Sequence, residues 1–169
     1  LTLILPRSEL IPDIVTAGLD TVGIRMPSHP VARALIQAAR LPIAAPSANI
    51  SGRPSPTTGQ HVLRDMGGKI DAVVDAGPAT VGVESTVVDL TTSTPMILRP
   101  GGVTYESLQA VLGDIIIDPA IQDLQEGVPR APGLKYKHYA PAGEVFLITG
   151  ELDRVVVKIR SLVESWQQK

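Results

Sequence analysis

Pro42-Ile43-Ala44-Ala45-Pro46-Ser47-Ala48-Asn49-Ile50-Ser51-Gly52-Arg53-Pro54-Ser55-Pro56-Thr57 passes from an apolar run, through a loop of small polar residues, into a helical pattern. This order of strand, loop and helix recurs on both sides of it. Apolar or β-branched runs predict strands at residues 1–5, 21–26, 42–45, 71–75, 85–90, 96–98 and 115–117. Most are short and apolar throughout, as suits strands covered on both faces. Helices are expected between them. Ser28 is placed to cap one with Pro30 in its first turn, so that Val31, Ala34, Leu35 and Ala38 share a face. Thr57 is placed to cap a second that stops near Gly67-Gly68, and Thr104 a third, from Tyr105 to Leu112, that stops at Gly113. The pattern predicts an α/β fold.

Beyond residue 118 the periodicity fails and Pro and Gly recur until about residue 143, which reads as an extended linker. A strand at 144–149 follows, and then a helix with Val155, Ile159, Leu162, Val163 and Trp166 on one face. The chain opens at Leu1 inside an apolar run, which reads as a cut through a domain.

Composition narrows the function classes. With 44% hydrophobic and 19% charged residues in 169, the chain is globular rather than disordered. Fifteen Lys and Arg against seventeen Asp and Glu give a net charge of -2, so any anion site must be local rather than a global basic field. The absence of Cys excludes disulfides, thiolate metal sites and a Cys nucleophile, and agrees with a reducing compartment. His29, His61 and His138 do not have metal-ligand spacing. No apolar run approaches the roughly 18 residues of a membrane span.

Four segments can carry chemistry. In the loop after residue 45, Ser47, Asn49, Ser51 and Thr57 offer groups that hydrogen-bond phosphate or ribose oxygens, although the same residues are ordinary turn formers. Gly82-Val83-Glu84-Ser85-Thr86 puts a carboxylate and two hydroxyls at the mouth of a strand. Ser85 has no neighbouring His and suits a cap or a ligand contact better than a nucleophile. Arg99, before Pro100-Gly101-Gly102, and Arg25, at the end of another strand, can each neutralise phosphate or carboxylate, or can simply be solvated. Lys135, Tyr136, Lys137, His138 and Tyr139 gather cationic and aromatic groups in the linker, as a lid over an anion or as a basic connector.

Ser47-Ala48-Asn49-Ile50-Ser51-Gly52, Gly82-Val83-Glu84-Ser85-Thr86, Ile97-Leu98-Arg99-Pro100-Gly101 and Pro132-Gly133-Leu134-Lys135-Tyr136-Lys137-His138-Tyr139-Ala140-Pro141 occur in this order. Together they resemble the YrdC-type L-threonylcarbamoyladenylate synthases, the last segment being similar to the interdomain linker of their long, two-domain form. The resemblance implies a twisted mixed sheet flanked by helices. It divides the chain into an N-terminally truncated catalytic domain at 1–118, a linker at 119–143 and the beginning of a small C-terminal α/β domain at 144–169.

The activity implied is that of a cytoplasmic nucleotidyltransferase, which condenses L-threonine, bicarbonate and ATP to threonylcarbamoyl-AMP and pyrophosphate, with Mg2+. The product feeds the machinery that modifies tRNA beside the anticodon. By the same resemblance, Asn49, Thr57, Arg99, His138 and Tyr139 face ATP, and Arg25, Ser47 and Ser85 face L-threonine. No metal-ligating side chain is identified, and the catalytic residues stay unknown, with no dedicated nucleophile or base expected. The family carries a Lys-Arg-Pro-type segment on the phosphates that this chain does not supply, so the 169 residues alone are expected to be inactive. A YrdC-like module that only contacts RNA is a second reading, weakened by the net charge of -2. A carbamoyl-transferring maturation enzyme is a third, weakened by the Lys-Tyr-Lys-His-Tyr linker.

Overall fold

The structure, a computed structural model, describes residues 1–122 and 144–167. In its sheet β1 (Thr2–Pro6) pairs on one side with β2 (Thr21–Ile24), antiparallel, and on the other with the central strand β3 (Val87–Asp89), parallel. The short helix α1 (Asp13–Thr16) lies between β1 and β2 in the chain, where Arg7 hydrogen-bonds Asp13. β4 (Met96–Arg99) returns antiparallel to β3, and β5 (Ile116–Ile117) pairs parallel to β4. The order β2-β1-β3-β4-β5 is the mixed sheet of the expected α/β class.

Alternation along the strands builds two cores. Val88 and Ile97 face one way and bury with Ile115 and with Leu108 of α4 (Tyr105–Leu112), while Leu3, Leu90, Val103 and Tyr105 pack around them. Val87 and Leu98 face the other way and pack with Ile4 and Met96. Each fully buried aliphatic side chain contributes about 1.5–3 kcal/mol, so the β3–β4 pair anchors the fold. α4 starts where expected: the Thr104 hydroxyl accepts from the Ser107 amide at 3.3 Å. Hydrogen bonds from its own backbone amide and from Thr104 hold the Glu106 carboxyl below the usual range.

Some expectations are corrected. Residues 42–45 and 71–75 form no strand. Pro42 and Pro46 lack the amide a ladder needs, Ala and Asp are poor strand formers, and Ile43 and Val74 stay exposed. The cap of α2 (Pro30–Ala39) is His29, not Ser28: its Nδ1 accepts from the Val31 amide, and Pro30 takes the first helical position. The cap of α3 (Gly59–Met66) is Thr58, not Thr57, and the positive φ after it falls on Gly68. The chain passes through α5 (Pro119–Gln122), and residues 144–149 run without strand pairing into α6 (Leu152–Gln167). Phe146 meets Trp166 of α6 edge-on, with ring centroids 6.1 Å apart. Among the described residues no helix is long and apolar enough to cross a membrane.

Candidate active site

The mixed sheet gives one rim an unusual convergence. β1 and β3 run parallel and begin there, while β2 and β4 run against them and end there. The residue that opens β1, the residues before β3 and the residues closing β2 and β4 therefore meet, although they come from four distant parts of the chain. The Thr2 amide donates to the Thr86 carbonyl at 2.8 Å. The Thr2 and Ser85 hydroxyls lie 2.8 Å apart, and Arg25 Nε donates to Thr2 Oγ1 at 3.0 Å.

Arg99 completes the row. The register of β3 and β4 shifts between Val87 and Val88, so that Val88 faces Ile97 but Val87 faces Arg99. Such an irregularity re-aims a side chain. Arg99 Nε and Nη2 both donate to the Ser85 carbonyl, at 3.2 and 3.0 Å, and Nη2 reaches Ser85 Oγ at 3.3 Å. Nη1 forms an ion pair with Glu84 Oε2 at 2.5 Å, and Glu84 Oε1 accepts from Ser55 Oγ at 2.7 Å. The Arg99 side chain is only 16% exposed, so it is a built part of the rim and not a solvated surface cation.

Two backbone features allow this approach. A Cβ on Gly101 would overlap the Glu84 carbonyl and the Thr86 amide, so the turn after Arg99 can lie directly on the turn before β3 only with glycine there. The Thr86 hydroxyl then donates to the Val103 carbonyl at 2.6 Å and accepts from its amide at 3.0 Å, which staples the two turns together.

The loop at 46–57 reaches this rim through Ser55. Its first half is tied to α3: Asp65 accepts from the Ile50 amide and pairs with Arg53 at 2.6 Å. The Arg53 hydrogen bond holds the Asp65 carboxyl below the usual range against the opposing effect of burial, with help from the Ile50 amide. Asn49 Nδ2 donates to the carbonyls of Ile50 and Arg53, at 3.0 Å each, while its Oδ1 is buried with no partner among the described residues. Thr57 sits by His61, whose Nδ1 is 3.4 Å from both its amide and its hydroxyl. Ser47 is exposed.

Of the residues singled out in the sequence, Arg25, Ser85 and Arg99 are brought together. Asn49 and Thr57 lie in the adjoining loop, Ser47 makes no hydrogen bond among the described residues that ties it to the rim, and His138 and Tyr139 lie outside the described residues. Sequence reasoning missed Thr2, which reads as filler in an apolar run, and the pairing of Glu84 with Ser55, 29 positions apart. The histidines whose surroundings are described, His29 and His61, sit with Val31 and with Thr57, not with Ser85. The rim offers two guanidinium groups and several hydroxyls in fixed positions, which is chemistry for binding oxyanions rather than for nucleophilic attack.

Fold and rim thus define an α/β protein whose strand ends carry a row of guanidinium and hydroxyl groups. The family model of Sua5, YciO and YrdC, described as "Telomere recombination", matches residues 1–101, and that of the threonylcarbamoyl-AMP synthase C-terminal domain matches residues 103–169. The chain belongs to the Sua5/YciO/YrdC family. It is 49% identical over 169 residues to the threonylcarbamoyl-AMP synthase of Pyrococcus abyssi, covering all of this chain and 50% of that protein. It is 49% identical to that of Bacillus subtilis, covering 99% of this chain and 47% of that one. The crystal structure of P. abyssi Sua5 complexed with L-threonine superposes with a TM-score of 0.90 at 49% identity, over 99% of this chain and 49% of that one. The chain spans about half the length of the curated relatives it matches.

Proposed function

We propose that this chain forms part of a threonylcarbamoyl-AMP synthase, a nucleotidyltransferase of the cytoplasm that joins L-threonine, bicarbonate and ATP and releases pyrophosphate. The observation that carries the reading is the row Arg25–Thr2–Ser85–Arg99, which sets two cations and two hydroxyls along one rim. In this reading Arg25, Ser47 and Ser85 face the amino acid, and Asn49, Thr57 and Arg99, with His138 and Tyr139, face ATP. In the same reading, residues 1–118 belong to the catalytic domain, 119–143 to a linker and 144–169 to the second domain. The buried, unpartnered Asn49 Oδ1 is an acceptor suited to a ligand's N–H or O–H.

The chemistry asks for little beyond positioning. The threonine amine and bicarbonate give a carbamate and water, and a carbamate oxygen attacks the α-phosphorus of ATP as the bond to pyrophosphate breaks. Both reactants are anions, so the barrier falls when fixed cations and hydrogen-bond donors offset their repulsion and hold them in line. In this reading Arg99 supplies such a charge from a partly buried position, with Ser85 between it and Thr2. Among the described residues no group of three His, Asp or Glu can hold a metal, and Glu84 is engaged by Arg99 and Ser55. A Mg2+, if bound, would be held by the phosphates and water and would help to neutralise their charge.

The test is pyrophosphate release by the full-length protein that carries this chain, with mass spectrometry of the product made from 13C-bicarbonate. Release that requires all three substrates, with the label retained in threonylcarbamoyl-AMP, supports the reading. Release without threonine or without bicarbonate contradicts it.

A further inference from the structure

The guanidinium of Arg99 is fixed at both ends. Nε and Nη2 grip the Ser85 carbonyl and Nη1 the Glu84 carboxylate, so the plane and the roll of the group are both determined. Glu84 is itself held from the other side by Ser55, in the same loop as Asn49 and Thr57. Both partners are partly buried, at 16% and 24% exposure, so the pair is less screened than a surface ion pair.

We infer that Glu84, braced by Ser55, is a positioning residue that orients Arg99 toward the nucleotide and ties it to the loop of Asn49 and Thr57. The inference rests on the functional reading above. Glu84 touches no substrate in it. Its role is to keep Arg99 from spending binding energy on ordering its own side chain when ATP arrives, which is the advantage of a preorganised cation. A glutamate that merely holds two turns together would affect how much protein folds. A positioning glutamate changes how well the folded protein binds ATP.

The experiment uses the full-length protein and the variants Glu84→Ala, Glu84→Gln and Ser55→Ala, with two readouts. The first is the 15N signal of Arg99 Nε, assigned by its loss in Arg99→Lys. The second is the KM for ATP and for L-threonine, with kcat referred to folded protein by circular dichroism. Glu84→Ala is expected to shift the Arg99 signal and to raise the ATP KM about tenfold, with kcat and the threonine KM within about threefold. Glu84→Gln, which can still hydrogen-bond both neighbours, is expected to return the ATP KM to within about threefold of the parent. Ser55→Ala is expected to raise it about threefold alone and to add little to Glu84→Ala, as two parts of one strut should. An ATP KM that stays within about twofold in Glu84→Ala overturns the inference, whether or not the Arg99 signal moves. A fall in activity that only tracks folded protein overturns it too. If the parent protein makes no pyrophosphate from the three substrates, the functional reading fails and the nucleotide role of Arg99 with it. The Arg99 signal then still judges the strut.

Discussion

On the β3–β4 side of the rim, Thr86 is 1% exposed, its hydroxyl is bonded twice to Val103, and Gly101 lies against the turn before β3. On the loop side, Ser47 is exposed and, among the described residues, the 46–57 segment is held by a few polar contacts: by Asp65, by Ser55 on Glu84, by His61 on Thr57, and by the Thr57 carbonyl, which accepts from the Ala79 amide. The first side is preorganised by packing and backbone, the second by a few polar ties. A site built this way can keep one set of charges fixed while the facing loop adjusts to the ligand, because few buried contacts resist local movement there. Glu84 is where the two sides join.

Breaking the rigid side should have the largest effect. Gly101→Ala forces a Cβ into the Glu84 carbonyl and Thr86 amide, and is expected to cost about 3 kcal/mol of stability, read by urea unfolding of the full-length protein. A cost close to zero would mean that the two turns do not lie on each other. Thr2→Val keeps the shape but removes the hydroxyl between Arg25 and Ser85. It is expected to raise the L-threonine KM about tenfold while leaving the fold intact, since one hydrogen bond to a charged group is lost.

Much of the rigid side was legible in the sequence. The runs around Val87-Val88 and Ile97-Leu98 are short, apolar and bounded by turn residues, and these became the strands with the deepest burial. Arg25, Ser85 and Arg99 were legible as polar residues at strand ends, and a mixed sheet brings such ends to one rim. Thr2 was not, because a single hydroxyl in an apolar strand gives no local sign of what will cross it 83 residues later. Residues 42–45 misled for the opposite reason: an apolar run satisfies the strand pattern locally, but only a partner strand can supply its hydrogen bonds. Ser55 and Glu84 belong to two motifs that were read separately, and their contact is a product of tertiary folding.

Smaller effects should come from the loop side. The Asp65 carboxyl is held below its ordinary range in the folded protein. Its contribution is therefore present above the unfolded value and lost as pH falls through the folded one. Acidification should loosen residues 50–53 before the β3–β4 pair, seen as earlier amide exchange in that loop, and Asp65→Asn should remove the pH dependence. Ser47→Ala, at an exposed position, should leave stability within about 0.5 kcal/mol while weakening L-threonine binding, as calorimetric titration can check. A loss of stability there would erase the distinction between the two sides.

Ser85 offers the most direct test of the central claim, that one rim serves both substrates. Its hydroxyl meets Thr2 on one side and Arg99 on the other. In the full-length protein, Ser85→Ala is expected to raise the KM for ATP and for L-threonine together, each about tenfold. A variant in which neither constant moves would contradict the account.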